Sequence, residues 1–231
     1  MTDTGVLVRG VDGAGSDCVE VALEHGADPR AVLTDAGWDV VGLVSIGRRP
    51  GGEIELDFRV RRRRARALAA PVTPVAPPVE VSAAEAAGAV RKQRVAAYAV
   101  VRSARGLLLT ELSDRTARPG TWGLPGGGVE PGEEPDQAVV REVWEESGQH
   151  IRLEEPLDVL SQHWVGRAPD GLVEDFHAVR LIYRAWVEEP TDPVVHDVGG
   201  TTESAAWVEE HELAGLPVSP WVGALLAEPA R

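Results

Sequence analysis

The sequence predicts a mixed α/β protein in two parts, and three observations carry that expectation. Runs of alternating apolar and polar residues mark strands on both sides of an Ala/Pro-rich stretch. One capped helical segment lies among the later strands, and Gly or Pro clusters punctuate each change of period. The boundaries read as a small α/β domain at 1–66, a linker with a short helix at 67–92, and a larger domain at 93–231. A chain of 231 residues with 43% apolar content has room for that division.

Residues 5–11 (GVLVRGV) read as a first strand, followed by a helix from Ser16 or Asp17 to His25 that stops at Gly26. Asp28 before Pro29 opens a second short helix to about Ala36, closed by Gly37. Trp38–Ile46 and Glu53–Val60 form two strands around the turn Arg49-Pro50-Gly51-Gly52. Gly13-Ala14-Gly15 has Cys18 where a third glycine would complete a dinucleotide fingerprint, so that reading is set aside. The arginine run at 59–66 has no interleaved aromatic residues and reads as a solvated strand end entering a linker. Pro71, Pro74, Pro77 and Pro78 make the linker extended.

Ser82 with Glu85 three residues later forms a capping box for a helix over Ala83–Lys92. Val95–Arg102 and Leu107–Leu112 flank a hairpin turn at Ser103–Gly106. After the central helix, Ile151–Val165 and Leu172–Val187 are two long strands joined at Ala168-Pro169-Asp170-Gly171. A loop at 188–202 precedes a last strand at Ser204–Glu209, and two short helices near 210–214 and 219–227 end the chain.

The chemistry concentrates between Gly127 and Gln149, GGVEPGEEPDQAVVREVWEESGQ. Pro135 suits the first helical position, Asp136 the positive first turn, and Gly148 a left-handed stop. At about 100° per residue, Glu142, Glu145 and Glu146 share one arc, with Ala138 within it and Arg141 beside it. Val139, Val140, Val143 and Trp144 fall on the opposite arc and are expected to face a core. An acidic arc alone is usually a solvated face. Here a Gly-rich entry loop, Glu133 and Arg141 accompany it, and a hard divalent cation fits the whole set.

This constellation resembles the Nudix box, G-x5-E-x7-R-E-U-x-E-E-x-G-U, where U is a bulky aliphatic. Gly127, Glu133, Arg141, Glu142, Val143, Glu145, Glu146 and Gly148 match; Gln149 departs at the last position, where Ile151 is expected to supply the apolar anchor. The lead-in PGTWGLPGG is also Nudix-like. The resemblance covers residues ~93–228 and implies an α/β/α sandwich with a mixed sheet. It further implies Mg²⁺-dependent hydrolysis, with Mn²⁺ as a substitute, of a diphosphate bond in a nucleoside diphosphate linked to another group. That class includes nucleoside triphosphates, ADP-ribose and nucleotide sugars. By similarity Glu142, Glu145 and Glu146 hold the metal, and Glu133 supports them or takes a further ion. Arg141 orients the carboxylates, while Gly126, Gly127 and Gly128 let the loop approach the ion.

Glu203 is the first candidate for the base that activates water, followed by Glu174 and Asp175. His163, Trp164, Phe176, His177, Tyr183 and Trp186 line the two strands after the box, and alternation lets about half of them face one cleft. The alternative to an enzyme is a nucleotide-sensing or protein-binding module without turnover, and the intact acidic set argues against it.

Composition excludes several classes. Cys18 is the single cysteine, so no internal disulfide or cysteine zinc cage forms, and the six histidines show no metal-ligand spacing. No G-x-S-x-G elbow is present. No apolar run or leader pattern points to a membrane, and a cytoplasmic location follows by default. One lysine, Lys92, among many arginines matches GC-rich bacterial coding. Residues 1–70 hold 11 acids and 10 bases, the remainder 26 and 13, so most of the net −14 lies in the larger domain. That balance argues against nucleic acid as a partner. A homodimer is a candidate assembly.

Overall fold

The structure, a computed structural model, describes residues 5–63, 81–168, 170–197 and 199–227. The Pro-rich stretch, residues 64–66 of the arginine run and Pro169 lie outside these residues. The chain forms two compact units, one of residues 1–96, 128–135 and 155–182, the other of 97–127, 136–154 and 183–231. The first unit ties early and late segments together: the Arg30 guanidinium pairs with Asp158 and donates to Val159 O at 2.8 Å. Ser161 donates to Ala27 O at 2.9 Å, and Arg48 Nε to Glu133 O at 2.8 Å.

A four-stranded mixed sheet of order β2-β1-β4-β3 opens the chain, from β1 (Val6–Val11), β2 (Asp17–Ala22), β3 (Trp38–Arg48) and β4 (Ile54–Arg62). β1 runs parallel to β4, and the other pairs are antiparallel. Ile54, Leu56, Phe58 and Val60 alternate into the core, where Leu33 of α1 (Pro29–Asp35) is fully buried. Asp28 caps α1 by accepting from the N–H groups of Arg30 and Ala31, and Gly37 ends it at φ +91°.

The helix expected from Ser16 or Asp17 to His25 is instead strand β2. Val19 and Val21 are β-branched around Glu20, a period of two that favours a pleated edge over a helix. Asp12 closes the β1–β2 turn by accepting from Ala14 N and Ser16 N, with Gly15 at φ +82°. The glycines discarded as a fingerprint are therefore a hairpin turn.

Strands β5 (Val90–Ser103), β6 (Gly106–Leu112), β7 (Trp122–Gly123), β8 (Gly126–Gly128), β9 (Arg152–Arg167), β10 (Val173–Trp186) and β11 (Thr202–Val208) build a seven-stranded sheet. Its path is β11-β6-β5-β10-β9, with β7 on β6 and β8 on β5. The helices are α2 (Ala83–Ala87), α3 (Pro135–Ser147) and α4 (Pro220–Ala227), with a 3₁₀ turn at Leu213–Gly215. The capping box on α2 forms, but the helix stops at Ala87 and β5 begins earlier than expected. In the second unit, buried Ala97, Ala99, Val101, Leu107, Leu108 and Leu109 alternate or cluster along β5 and β6, with Val139 and Val143 of α3 also fully buried.

Two side chains of α3 overturn the expected core face. Val140 is 42% and Trp144 41% exposed, while Ala138 is fully buried. The buried arc is rotated toward the acids, and Trp144 stacks on His196 at 4.5 Å between ring centroids. A small residue within the acidic arc is what lets that face pack.

Candidate active site

Because the buried arc of α3 includes Ala138, Val139 and Val143, its three carboxylates divide by depth. Glu146 is buried, Glu142 half-buried at 17% side-chain exposure, and Glu145 more open at 35%. Glu146 Oε2 accepts from Gly126 N at 3.0 Å and Oε1 from the Thr202 hydroxyl at 2.5 Å. Burial pushes the Glu146 carboxyl up to about 7, against the pull of those two donors, and the charges of Glu142 and Asp197 add to the rise.

Arg141 Nη1 bridges the other two acids, at 2.9 Å to Glu142 Oε1 and 3.1 Å to Glu145 Oε2. One guanidinium thus faces two carboxylates that would otherwise repel one another. Gly127 is packed against the same group: a Cβ there would fall on the Glu142 carboxylate. Gly126, at φ +141°, sits so close to Ala97 O that only glycine fits.

The loop after β10 joins this helix from its C-terminal end. The N–H groups of His196 and Asp197 donate to Glu145 O at 2.7 and 3.0 Å, and Val194 N to Ser147 O at 2.9 Å. Gln149, where the box has an aliphatic residue, is buried and fully bonded. Its amide nitrogen donates to Thr191 Oγ1 at 2.9 Å and to Ser147 O at 3.2 Å, and its oxygen accepts from Thr191 N at 3.1 Å. A hydrogen-bonded amide therefore fills the position, and half-buried Ile151 is not needed as its replacement.

Glu203 is exposed in a bulge of β11, next to the threonine that reaches Glu146. Asp197 and Thr202 were not singled out in the sequence, since neither belongs to a spaced pattern; only the fold brings them to α3. Apart from Tyr183 and Trp186, which belong to the second unit, the remaining candidates lie in the first. Glu133 Oε2 accepts from Glu130 N at 3.0 Å, and a Cβ on Gly128 would meet the Arg94 guanidinium at ordinary van der Waals distance. Glu174 pairs with Lys92 at 2.9 Å, and Asp175 with His25 and His163. Trp164 packs on Phe176 at 4.8 Å, whereas His177 and Tyr183 are buried, a placement of core rather than base-stacking side chains. Among the described residues no helix is long and apolar enough to cross a membrane.

Glu146, raised chiefly by burial and further by the charges of Glu142 and Asp197, and the Glu142 carboxylate seated against Gly127 form a donor set suited to a hard cation. The family model described as "NUDIX domain" matches residues 92–227. Nucleoside triphosphatase NudI of Salmonella schwarzengrund (strain CVM19633) is 33% identical over 126 residues, which cover 53% of this chain and 86% of that protein. The same-named protein of Salmonella newport (strain SL254) is 32% identical over equal coverage. Among solved structures, a MutT NUDIX hydrolase from Burkholderia pseudomallei is 28% identical at a TM-score of 0.44, over 58% of this chain and 96% of that one.

Proposed function

The chain belongs to the Nudix family and is a Nudix pyrophosphohydrolase, and from that premise we propose that it hydrolyses a diphosphate bond of a nucleoside triphosphate with Mg²⁺ at the α3 carboxylates. The observation that carries the reading is the Glu142–Glu145–Glu146 set, held by one arginine, the Gly126 N–H of β8 and the Thr202 hydroxyl of β11. The named activity of the NudI relatives favours a nucleoside triphosphate over ADP-ribose or a nucleotide sugar.

Glu142, Glu145 and Glu146 would hold the cation, with Mn²⁺ an alternative. Bound there, the ion would act as a Lewis acid on the phosphate oxygens and offset charge that grows in the transition state. Thr202 and Gly126 fix both oxygens of Glu146, so its lone pairs are aimed before substrate arrives. Arg141 keeps Glu142 and Glu145 from splaying. Glu203 is assigned the attacking water: it is exposed, and its neighbour Thr202 already reaches the acids. Its carboxylate takes a proton from water as the oxygen attacks phosphorus and the anhydride bond breaks. Glu133 closes the turn that leads into α3, and its proposed part is to support that loop.

A panel of nucleoside triphosphates, ADP-ribose and nucleotide sugars, incubated with Mg²⁺ and separately with Mn²⁺, tests this by mass identification of products. Consumption of triphosphates is expected. Consumption of nothing with either ion would overturn the enzyme reading, and preference for a sugar nucleotide would overturn the substrate.

A further inference from the structure

A second cluster of ligating side chains lies outside the carboxylate site. His25 in the loop after β2, His163 on β9 and Asp175 on β10 place one ligand atom each within 4.8 Å of one another. His25 Nε2 is 3.1 Å and His163 Nε2 2.5 Å from the same atom, Asp175 Oδ1. The two imidazole rings meet edge to face at 5.3 Å between centroids. His25 Nε2 is shielded from solvent and makes no hydrogen bond of good geometry. A buried ring nitrogen aimed at its neighbours without a bond is costly unless something else occupies its lone pair.

We propose that His25, His163 and Asp175 bind a borderline transition-metal cation, Zn²⁺ first, as a staple between the N-terminal loop and the β9–β10 pair. The donor set argues for that class: two imidazoles and one carboxylate suit Zn²⁺, whereas Mg²⁺ prefers oxygen alone. Tetrahedral ligands at about 2.0–2.1 Å from zinc stand roughly 3.3 Å apart. The His25–Asp175 separation is already close to that, and the His163 contact opens by less than about 1 Å.

A third histidine defines the support. His177 packs edge-on against His25 at 5.5 Å, but its Nε2 lies 2.9 Å from Ser161 Oγ and its Nδ1 2.8 Å from the Gln93 side chain. Both its nitrogens are engaged, so it buttresses the site without entering it. Arg91 approaches the other oxygen of Asp175 at 3.7 Å, leaving Oδ1 to the ligand cluster. Gly26 leaves the His163 ring its place, since a Cβ there would come within 3.1 Å of it. Three protein ligands leave one position for water, so the site binds reversibly.

The test is calorimetric titration of the full chain with ZnCl₂ in excess Mg²⁺, which masks the α3 acids, alongside the zinc-induced shift in thermal midpoint. One saturable zinc per chain and a rise in midpoint are expected. His163→Ala changes an exposed side chain and leaves the fold intact. It should weaken zinc by at least about 100-fold, beyond the cost of losing a supporting group. Asp175→Asn should weaken it likewise, and both variants should keep the parental response to Mg²⁺ alone. No saturable zinc in the parent, or unchanged affinity in both variants, would overturn the assignment.

Discussion

Glu146→Gln separates the charge of the buried carboxylate from its shape. In the parent without metal, the carboxyl is raised from 4.5 to about 7, chiefly by burial. Its folded-state value therefore exceeds its unfolded one. Stability from this group is complete below pH 4.5 and is lost as pH rises through about 7. The shift corresponds to roughly 3 kcal/mol of penalty at pH 8, and under about 1 kcal/mol at pH 5. A glutamine carries no such penalty. It can offer its oxygen to Gly126 N and its amide to the Thr202 hydroxyl, which accepts as readily as it donates. The variant in EDTA should then melt roughly 6–12 °C above the parent at pH 8, and close to it at pH 5. Its turnover with Mg²⁺ should fall at least about 100-fold, since a lost charged ligand removes several kcal/mol of transition-state stabilisation. The Mg²⁺-induced rise in midpoint should shrink as well. Differential scanning at both pH values and a steady-state assay read all three. Parental turnover in a folded variant would refute the metal assignment, and equal midpoints at pH 8 would refute the charge argument.

Gly127→Ala and Gly126→Ala should part company. At Gly127 the new methyl meets only the mobile end of Glu142, so circular dichroism should show a folded protein whose turnover has dropped more than about tenfold. At Gly126 it meets the Ala97 carbonyl at a backbone angle only glycine favours, so soluble, folded protein should be scarce. Glu203→Gln should lower turnover by roughly 10²–10⁴ with an unchanged Mg²⁺ requirement; full activity in that variant would remove Glu203 as the base. Arg30→Ala should cost roughly 1–3 kcal/mol in urea denaturation, because Asp158 and Val159 O lose a shared partner. An unchanged urea midpoint would show that this tie contributes nothing to the first unit.

Local chemistry explains which parts were legible in advance. The α1 cap, the Ser103–Gly106 hairpin and the limits of α3 rest on neighbours in sequence, and each was readable from residue types. The β2 strand was not, because a six-residue valine-bearing segment fits a short helix or an edge strand equally well until β1 pairs with it. The angular arc of α3 grouped the three acids correctly, but not their depth. Burial is decided by what packs on the helix, and that left Trp144 outside and Glu146 inside. The histidines showed no ligand spacing because His25 and His163 stand 138 positions apart, so proximity there is purely a product of topology. Thr202, Asp197 and Thr191 are ordinary loop or strand residues until the chain returns to α3.

The reciprocal bonding of Gln149 and Thr191 bears on how freely parts of this fold can be exchanged. The amide gives and receives across 42 positions, so the end of the box and the 188–201 loop are matched halves of one joint. A transplanted loop without a hydroxyl at position 191 would take one of the two acceptors from the buried Gln149 amide nitrogen, leaving it only Ser147 O. A chimaera that moves both segments together keeps the whole set of bonds at this joint.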